Sequence, residues 1–356
     1  MDSSTLPASP NSYSSLRSQS RIDLASAIPL SGPLTIYVEP TNICNFRCVY
    51  CPESLSNYKE TVGGHFQLSL GDFRIIAQQI KELGTVKTLN FYMMGEPFVN
   101  KHLPQFISMA KADKIAERVI VTSNGTLVRP SIYSHICESR LDYLRVSIYG
   151  SNEGSHKANT QSLFRLAQIR DNILGLKQFR DKLGHKQPFI YIKMIESAHE
   201  SENIDFKQMF AAVGDEVFIE PVMNWNDPEG AVFSGEAKDA PLSKQYFAAE
   251  KHVCPFPFYT LVIHSDLKVS VCCVDWNKQT VVGTLRSQSL ADIWKGESLR
   301  AFQLRHIQRR RCELPGCSTC TYLHTAPDNI DSLTETAFVE RITTVEAKPQ
   351  EKAASV

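Results

Sequence analysis

The sequence predicts an α/β fold: a curved, partly open barrel of six strand–helix units, followed by a small C-terminal unit built from a β-hairpin and a helix. Three observations predict it. Between residues 33 and 222, short β-branched and aromatic runs alternate with helix-like stretches, and such alternation implies a parallel sheet with crossover helices. Six units fall short of the eight that close a barrel. Beyond residue 222 the alternation stops, and from Cys254 onward a hairpin pattern and one helix take over, with five cysteines falling between Cys272 and Cys320.

Residues 1–32 are rich in Ser, Pro, Asn and Gln, a composition that cannot offset its own ordering entropy, so a disordered tail is expected. The segment is Ser-rich and acid-poor like a transit peptide, but it lacks an amphipathic pattern. The barrel, residues 33–222, takes its strands from Leu34 to Val38, Thr88 to Met93, Arg118 to Thr122, Tyr143 to Tyr149, Phe189 to Ile195 and Val217 to Glu220. Helical stretches at 70–83, 103–116, 130–139, 162–182 and 203–213 separate them, with Ser69, Asp72 and Asn203 as cap signals. Residues 223–252 read as a linker. The second module, 253–325, opens at Cys254-Pro-Phe-Pro-Phe, turns at Ser265-Asp266-Leu267 between two strands, and carries a helix from about Leu290 to Gln308. Residues 326–356 are polar and aperiodic, and a second disordered tail is expected there.

Lys plus Arg and Asp plus Glu both number 38 in this chain of 356 residues, so net charge favours neither nucleic acid nor a membrane surface as partner. No apolar run of about 18 residues occurs. The ten cysteines cluster rather than spread, which suggests metal ligation in a reducing, cytoplasmic compartment rather than a secreted disulfide framework. Cys44, Cys48 and Cys51 are spaced C-x-x-x-C-x-x-C directly after the first strand. A structural zinc site closes four ligands and a redox pair needs two cysteines. Three therefore suggest a 4Fe-4S cluster with one iron left open, the alternative being a zinc knuckle completed by Cys137 or a remote His.

That spacing, with Tyr50 just before the last cysteine, resembles the signature of the radical S-adenosylmethionine (SAM) superfamily. The resemblance covers about residues 33 to 222 and implies that SAM chelates the open iron. Ligands in such sheets sit at the strand C-termini, and the residues there resemble the family's SAM contacts. Met94-Gly95-Glu96-Pro97 is similar to its glycine–glutamate–proline motif, with Met94 replacing the usual first glycine. Ser123-Asn124 is similar to its turn near the SAM ribose, and Ser147 matches a position close to the SAM carboxylate. Arg145 and Tyr149 share the face of Ser147, while Lys193 and Glu220 are charged residues inside apolar runs, either a satisfied ion pair or substrate ligands. Downstream, Cys254, Cys272, Cys317 and Cys320 have the order and spacing of the truncated SPASM ("twitch") extension, which implies one auxiliary 4Fe-4S cluster; zinc is the alternative for the C-x-x-C pair. Adjacent strand residues face opposite ways, so Cys272 and Cys273 compete as ligand, and the family spacing favours Cys272.

The resemblance implies reductive cleavage of SAM, hydrogen abstraction from a substrate, and an auxiliary cluster acting as electron acceptor. In domain plan and cysteine spacing the chain resembles the inosamine dehydrogenase type of butirosin biosynthesis, implying an oxidoreductase acting on a polyol, sugar or aminocyclitol. Arg145, Tyr149 and Lys193 are then candidates for binding the hydroxyl and taking its proton. A small carbohydrate-like substrate is expected in preference to a peptide, with a reductant such as flavodoxin or ferredoxin and neither nucleic acid nor membrane. Rival readings are a sugar epimerase using Cys273 or Cys312 as hydrogen donor, a peptide maturase, an iron-sulfur electron carrier and a zinc-binding interaction protein. The run Arg305-His306 with Arg309-Arg310-Arg311 reads as a solvated helix end or a phosphate patch.

Overall fold

The alternating runs become one nine-stranded sheet in the computed structural model, which describes residues 22–220 and 251–347. Its strands are β1 (Thr35–Val38), β2 (Val86–Phe91), β3 (Ala116–Ser123), β4 (Tyr143–Ile148), β5 (Phe189–Ile195), β6 (Glu216–Glu220), β7 (Thr260–Ile263), β8 (Lys268–Ser270) and β9 (Val281–Thr284). The spatial order is β6-β5-β4-β3-β2-β1-β7-β8-β9. The first six pair in parallel as the pattern predicts. Every residue of β4 is buried, as expected of a parallel strand covered on both faces.

The C-terminal module does not stand apart from the barrel. β7 lies parallel to β1, with Thr35 opposite Thr260 and Val38 opposite Ile263, and β8 and β9 continue antiparallel beyond it. The linker expected at 223–252 lies almost wholly outside the described residues.

The helices are α1 (Leu24–Ala27), α2 (Tyr58–Thr61), α3 (Leu70–Leu83), α4 (Leu103–Ala112), α5 (Tyr133–Glu138), α6 (Glu153–Thr160), α7 (Leu166–Lys182), α8 (Glu200–Phe210), α9 (Leu290–Lys295), α10 (Glu297–Ile307) and α11 (Glu335–Ala347). Ser69 and Asp72 close a reciprocal capping box on α3, satisfying two orphan N–H groups. α3 packs on α4 through stacked Phe73 and Phe106, 4.6 Å between ring centroids. Asn203 does not cap α8, which begins at Glu200; its side chain instead braces the preceding turn through both the N–H and the carbonyl of Ser197. The helix expected over 290–308 breaks at Gly296 into α9 and α10, where an added Cβ would meet Asp292 O at 2.6 Å.

Two expectations of disorder are corrected. α1 and α11 fall inside the segments read as tails, and Leu24, Ile28, Ile330, Leu333 and Phe338 are buried in a second core with Val253, Phe256 and Phe258. Arg341 Nη1 donates to the carbonyls of Ala25 and Ile28. Neither segment can bury these side chains alone; together, against the C-terminal module, they do.

Candidate active site

The loop after β1 carries Cys44, Cys48 and Cys51, and backbone bonds fix its path. Arg47 N–H donates to Thr160 O at 3.0 Å and Val49 N–H to Asn159 O at 2.9 Å, tying it to the end of α6. Cys48 is buried, Cys44 and Cys51 are half-buried, and all three are free thiols. Burial raises the Cys51 thiol to about 12 and pushes Cys44 and Cys48 up further. Thiolates so enclosed need positive charge beside them, which a cluster iron supplies, and Phe46 N–H already points at Cys44 Sγ at 3.4 Å. The residues present therefore fit a cluster at this loop.

The other motifs converge on the same loop. Gly95 has φ +74°, and a Cβ there would meet Thr41 O at 2.4 Å and Ile43 N at 2.8 Å, so only glycine lets the end of β2 lie against the segment leading into Cys44. Glu96 N–H donates to Ile43 O at 2.9 Å. Its carboxylate accepts from Ser123 Oγ at 2.8 Å, Asn124 N–H at 2.7 Å and Phe98 N–H at 3.1 Å, and Pro97 opens a buried turn beside it. Asn124 Nδ2 reaches Asn45 Oδ1 at 2.8 Å, inside the cysteine loop. Tyr50 stacks on Tyr149 with ring centroids 6.1 Å apart, and Tyr149 also bonds Ser147.

The substrate-residue expectations are corrected in part. Tyr149 belongs with the first centre: burial, then the charges of Cys48, Cys51 and Cys44, raise its phenol well above the usual range, so it is no proton acceptor. Arg145, protonated at any working pH, cannot take a proton either. Its guanidinium donates to Tyr92 OH at 3.1 Å and pairs with Glu220 at 3.5 Å, and Lys193 Nζ pairs with the other oxygen of Glu220 at 2.5 Å. Glu220 is thus the carboxylate shared by both cations.

The second thiol set lines a small pocket, formed by Cys254, Cys272, Cys317 and Cys320 together with His306 and Arg311. Burial raises Cys317 to about 12 and Cys254 and Cys272 above that, again a set that fits a positively charged cluster. Arg311 Nη1 donates to Cys317 O at 2.6 Å and Cys320 O at 3.0 Å. Cys273 does not line the cavity; its Sγ donates to Tyr322 OH at 3.5 Å. Cys312 is exposed and Cys137 is buried in the barrel core on α5. Among the described residues no three His, Cys, Asp or Glu side chains close on one metal ion. The basic run is divided: Arg305 and Arg310 pair with Glu313, whereas His306 is wholly buried.

Two carboxylates are given no role by the sequence, although Glu39 stands at a strand C-terminus, where ligands are expected. Glu39, at the end of β1, accepts from Met94 N–H at 3.2 Å, Ser265 N–H at 2.9 Å and Ser265 Oγ at 2.7 Å. Glu53, two residues past Cys51, is buried with its carboxyl raised to about 7 by desolvation, and it pairs with Arg47 at 3.4 Å. An isolated acid in a loop gives no sequence signal of burial. A single apolar cluster that includes Tyr58, Met93, Met94 and Trp276 has Cys51 from the first set and Cys272 and Cys320 from the second packed against it, so the two sets share a wall.

Residues 38–179 match the model of the radical SAM superfamily, and residues 254–321 match that of the SPASM iron-sulfur cluster-binding domain. The S-adenosyl-L-methionine-dependent 2-deoxy-scyllo-inosamine dehydrogenase of Niallia circulans is 23% identical over 285 residues, 80% of this chain and 91% of that protein. A tungsten-containing aldehyde ferredoxin oxidoreductase cofactor-modifying protein of Pyrococcus furiosus is 21% identical, covering 80% of this chain and 86% of its own length. Among solved structures, BtrN in complex with AdoMet and 2-DOIA superposes with TM-score 0.53 and 16% identity over 85% of this chain and 97% of that one. Streptococcus suis SuiB bound to precursor peptide SuiA gives 0.61 and 14% over 87% and 77%; both likenesses speak for the fold. Among the described residues no helix is long and apolar enough to cross a membrane. The chain belongs to the radical SAM superfamily, as an iron-sulfur enzyme whose partial barrel is followed by a SPASM-type auxiliary-cluster domain.

Proposed function

We propose that the chain is a dehydrogenase that oxidises a hydroxyl of a polyol, sugar or aminocyclitol-type substrate, with the auxiliary cluster as electron acceptor. The observation that carries this reading is the apolar wall that touches a thiol of each set, since a substrate oxidised between two one-electron centres needs both close at hand. When bound, the clusters and SAM supply the hard chemistry, a 5'-deoxyadenosyl radical that abstracts a hydrogen atom and a second centre that takes an electron. Cys44, Cys48 and Cys51 would hold the first cluster with one iron free for SAM, and Tyr50, Gly95, Glu96, Pro97, Ser123, Asn124 and Ser147 would cradle SAM. Cys254, Cys272, Cys317 and Cys320 would cap every iron of the auxiliary cluster, which leaves it no position for substrate and restricts it to electrons. Arg145 and Lys193 would orient the hydroxyl, and Glu220, which pairs with both, would accept its proton. The name of the Niallia circulans relative supports an inosamine-like substrate. A small electron-transfer protein such as flavodoxin or ferredoxin, in a reducing cytoplasm, would supply the priming electron.

A second reading, epimerisation, is favoured by the position of Cys273, whose thiol lies in the shared wall beside Tyr322 rather than in the cysteine cavity. One experiment separates the two. After anaerobic reconstitution, candidate aminocyclitols and sugars are incubated with SAM in heavy water and products weighed. Loss of two hydrogens with 5'-deoxyadenosine formation supports the dehydrogenase; unchanged mass apart from one deuterium, abolished by Cys273→Ala, supports the epimerase. Absence of 5'-deoxyadenosine with every substrate and in its absence would sink both.

A further inference from the structure

One group in the second cavity has no role in holding thiols. His306 on α10 is 0% exposed, and neither Nδ1 nor Nε2 has a hydrogen-bond partner. Buried polar groups are almost always partnered, and each exception calls for an explanation. An imidazole carries at least one N–H in every protonation state. Around the ring, Phe302 of the same helix lies 5.1 Å away between centroids and offers no acceptor in its plane. Arg311, another donor lining the pocket, gives Nη1 to the backbone carbonyls of Cys317 and Cys320. The space that His306 does face is the one lined by Cys254, Cys272, Cys317 and Cys320.

We infer that His306 is a positioning residue for the auxiliary centre: a ring N–H donates a hydrogen bond to a sulfide or ligating thiolate of the cluster and raises its reduction potential. The inference rests on the reading that these four cysteines hold that cluster. The physical reason is charge. Reduction adds an electron to sulfur-rich, buried, negative surroundings, and a donor aimed at sulfur stabilises the reduced state more than the oxidised one. The guanidinium of Arg311 acts in the same direction as a fixed positive charge. Together they bias the second centre toward accepting an electron, the direction that oxidation of a hydroxyl demands.

The test is an EPR-monitored redox titration of the anaerobically reconstituted full chain, in wild type, His306→Phe and His306→Gln, with iron counted in each. A Cys44→Ala, Cys48→Ala, Cys51→Ala protein serves to assign the auxiliary signal. The inference expects all three proteins to keep about eight irons, the Phe variant to titrate at lower potential, and the Gln variant, which keeps an N–H donor, to return toward wild type. An unchanged potential in His306→Phe overturns it, as does loss of the auxiliary irons in both variants, which would make His306 part of the cluster's housing. About four irons in the wild type would remove the cluster itself and the inference with it. An unchanged potential on a fully loaded protein leaves the cysteine assignment standing.

Discussion

A carboxylate shut away from water holds its proton tightly unless donors or cations compensate, and Glu96, only 2% exposed, shows how far donors go. Despite three hydrogen bonds, from Asn124, Ser123 and Phe98, burial raises its pKa to about 7. The family resemblance brings the SAM amino group to this residue, and an amine ligating iron offers only N–H donors, which the ionised carboxylate accepts and a protonated carboxyl holds far less well. Below about 7 Glu96 is protonated and above it ionised, so SAM affinity is expected to rise with pH, about tenfold between pH 6 and 8 from the fraction of binding-competent carboxylate. Anaerobic calorimetry across that range checks this, and Glu96→Gln should flatten the profile. Glu96 was legible in the sequence because chemistry demands particular residue types at short spacing, as it does for the cysteine triad and Ser123-Asn124. Glu39, Glu53 and His306 were not, because what singles them out is enclosure by segments distant in the chain.

At the level of single elements, the C-x-x-C turn depends on one side chain from the short turn Arg311–Glu313 that follows α10. Arg311 satisfies the carbonyls of both Cys317 and Cys320, and hydrogen bonds to a charged donor contribute roughly 1.5–3 kcal/mol. Replacing it with Gln is expected to loosen the turn and speed loss of the auxiliary irons to a chelator, while SAM cleavage at the first centre continues; iron release followed spectroscopically reads the first and product assays the second. Strands and long helices were legible because periodicity and caps reinforce each other, as at Ser69 and Asp72. α6 was missed because its eight residues are mostly polar, although Asn152 and Ser155 form a capping box that signals its start. α11 was missed for the opposite reason: Phe338 and Ile342 stand one helical turn apart, as helical partners do, but they form too short a stripe to stand out. The break at Gly296 reflects a contact that a linear pattern does not display.

Across the whole molecule, Glu39 is the joint. It receives Met94 from the SAM-motif loop and Ser265 from the hairpin turn, so one side chain links the two halves just past the C-terminal ends of β1 and β7. Burial alone would raise its pKa, but His264 and the two donors of Ser265 outweigh that and bring it to about 2. A folded-state pKa below the unfolded one stabilises above the unfolded value, and the stabilisation is lost as pH falls from about 4.5 toward 2, on the order of 3 kcal/mol. Unfolding of wild type and Glu39→Gln should therefore differ most near neutrality and converge in acid; a constant gap would refute the linkage. The joining of β7 to β1 was not legible, since nothing in a strand's own residues names its neighbour across some 220 positions of chain. The second core has a practical consequence. Anyone trimming this protein to the span that composition recommends, residues 33 to 325, would cut away Leu24, Ile28, Ile330, Leu333 and Phe338. That excision uncovers Phe256 and Phe258 beside Cys254, and burying an aromatic such as Phe338 is worth about 3–5 kcal/mol. A shortened version is expected to purify with depleted auxiliary iron and a lowered melting temperature, and to be mistaken for an enzyme with a single cluster.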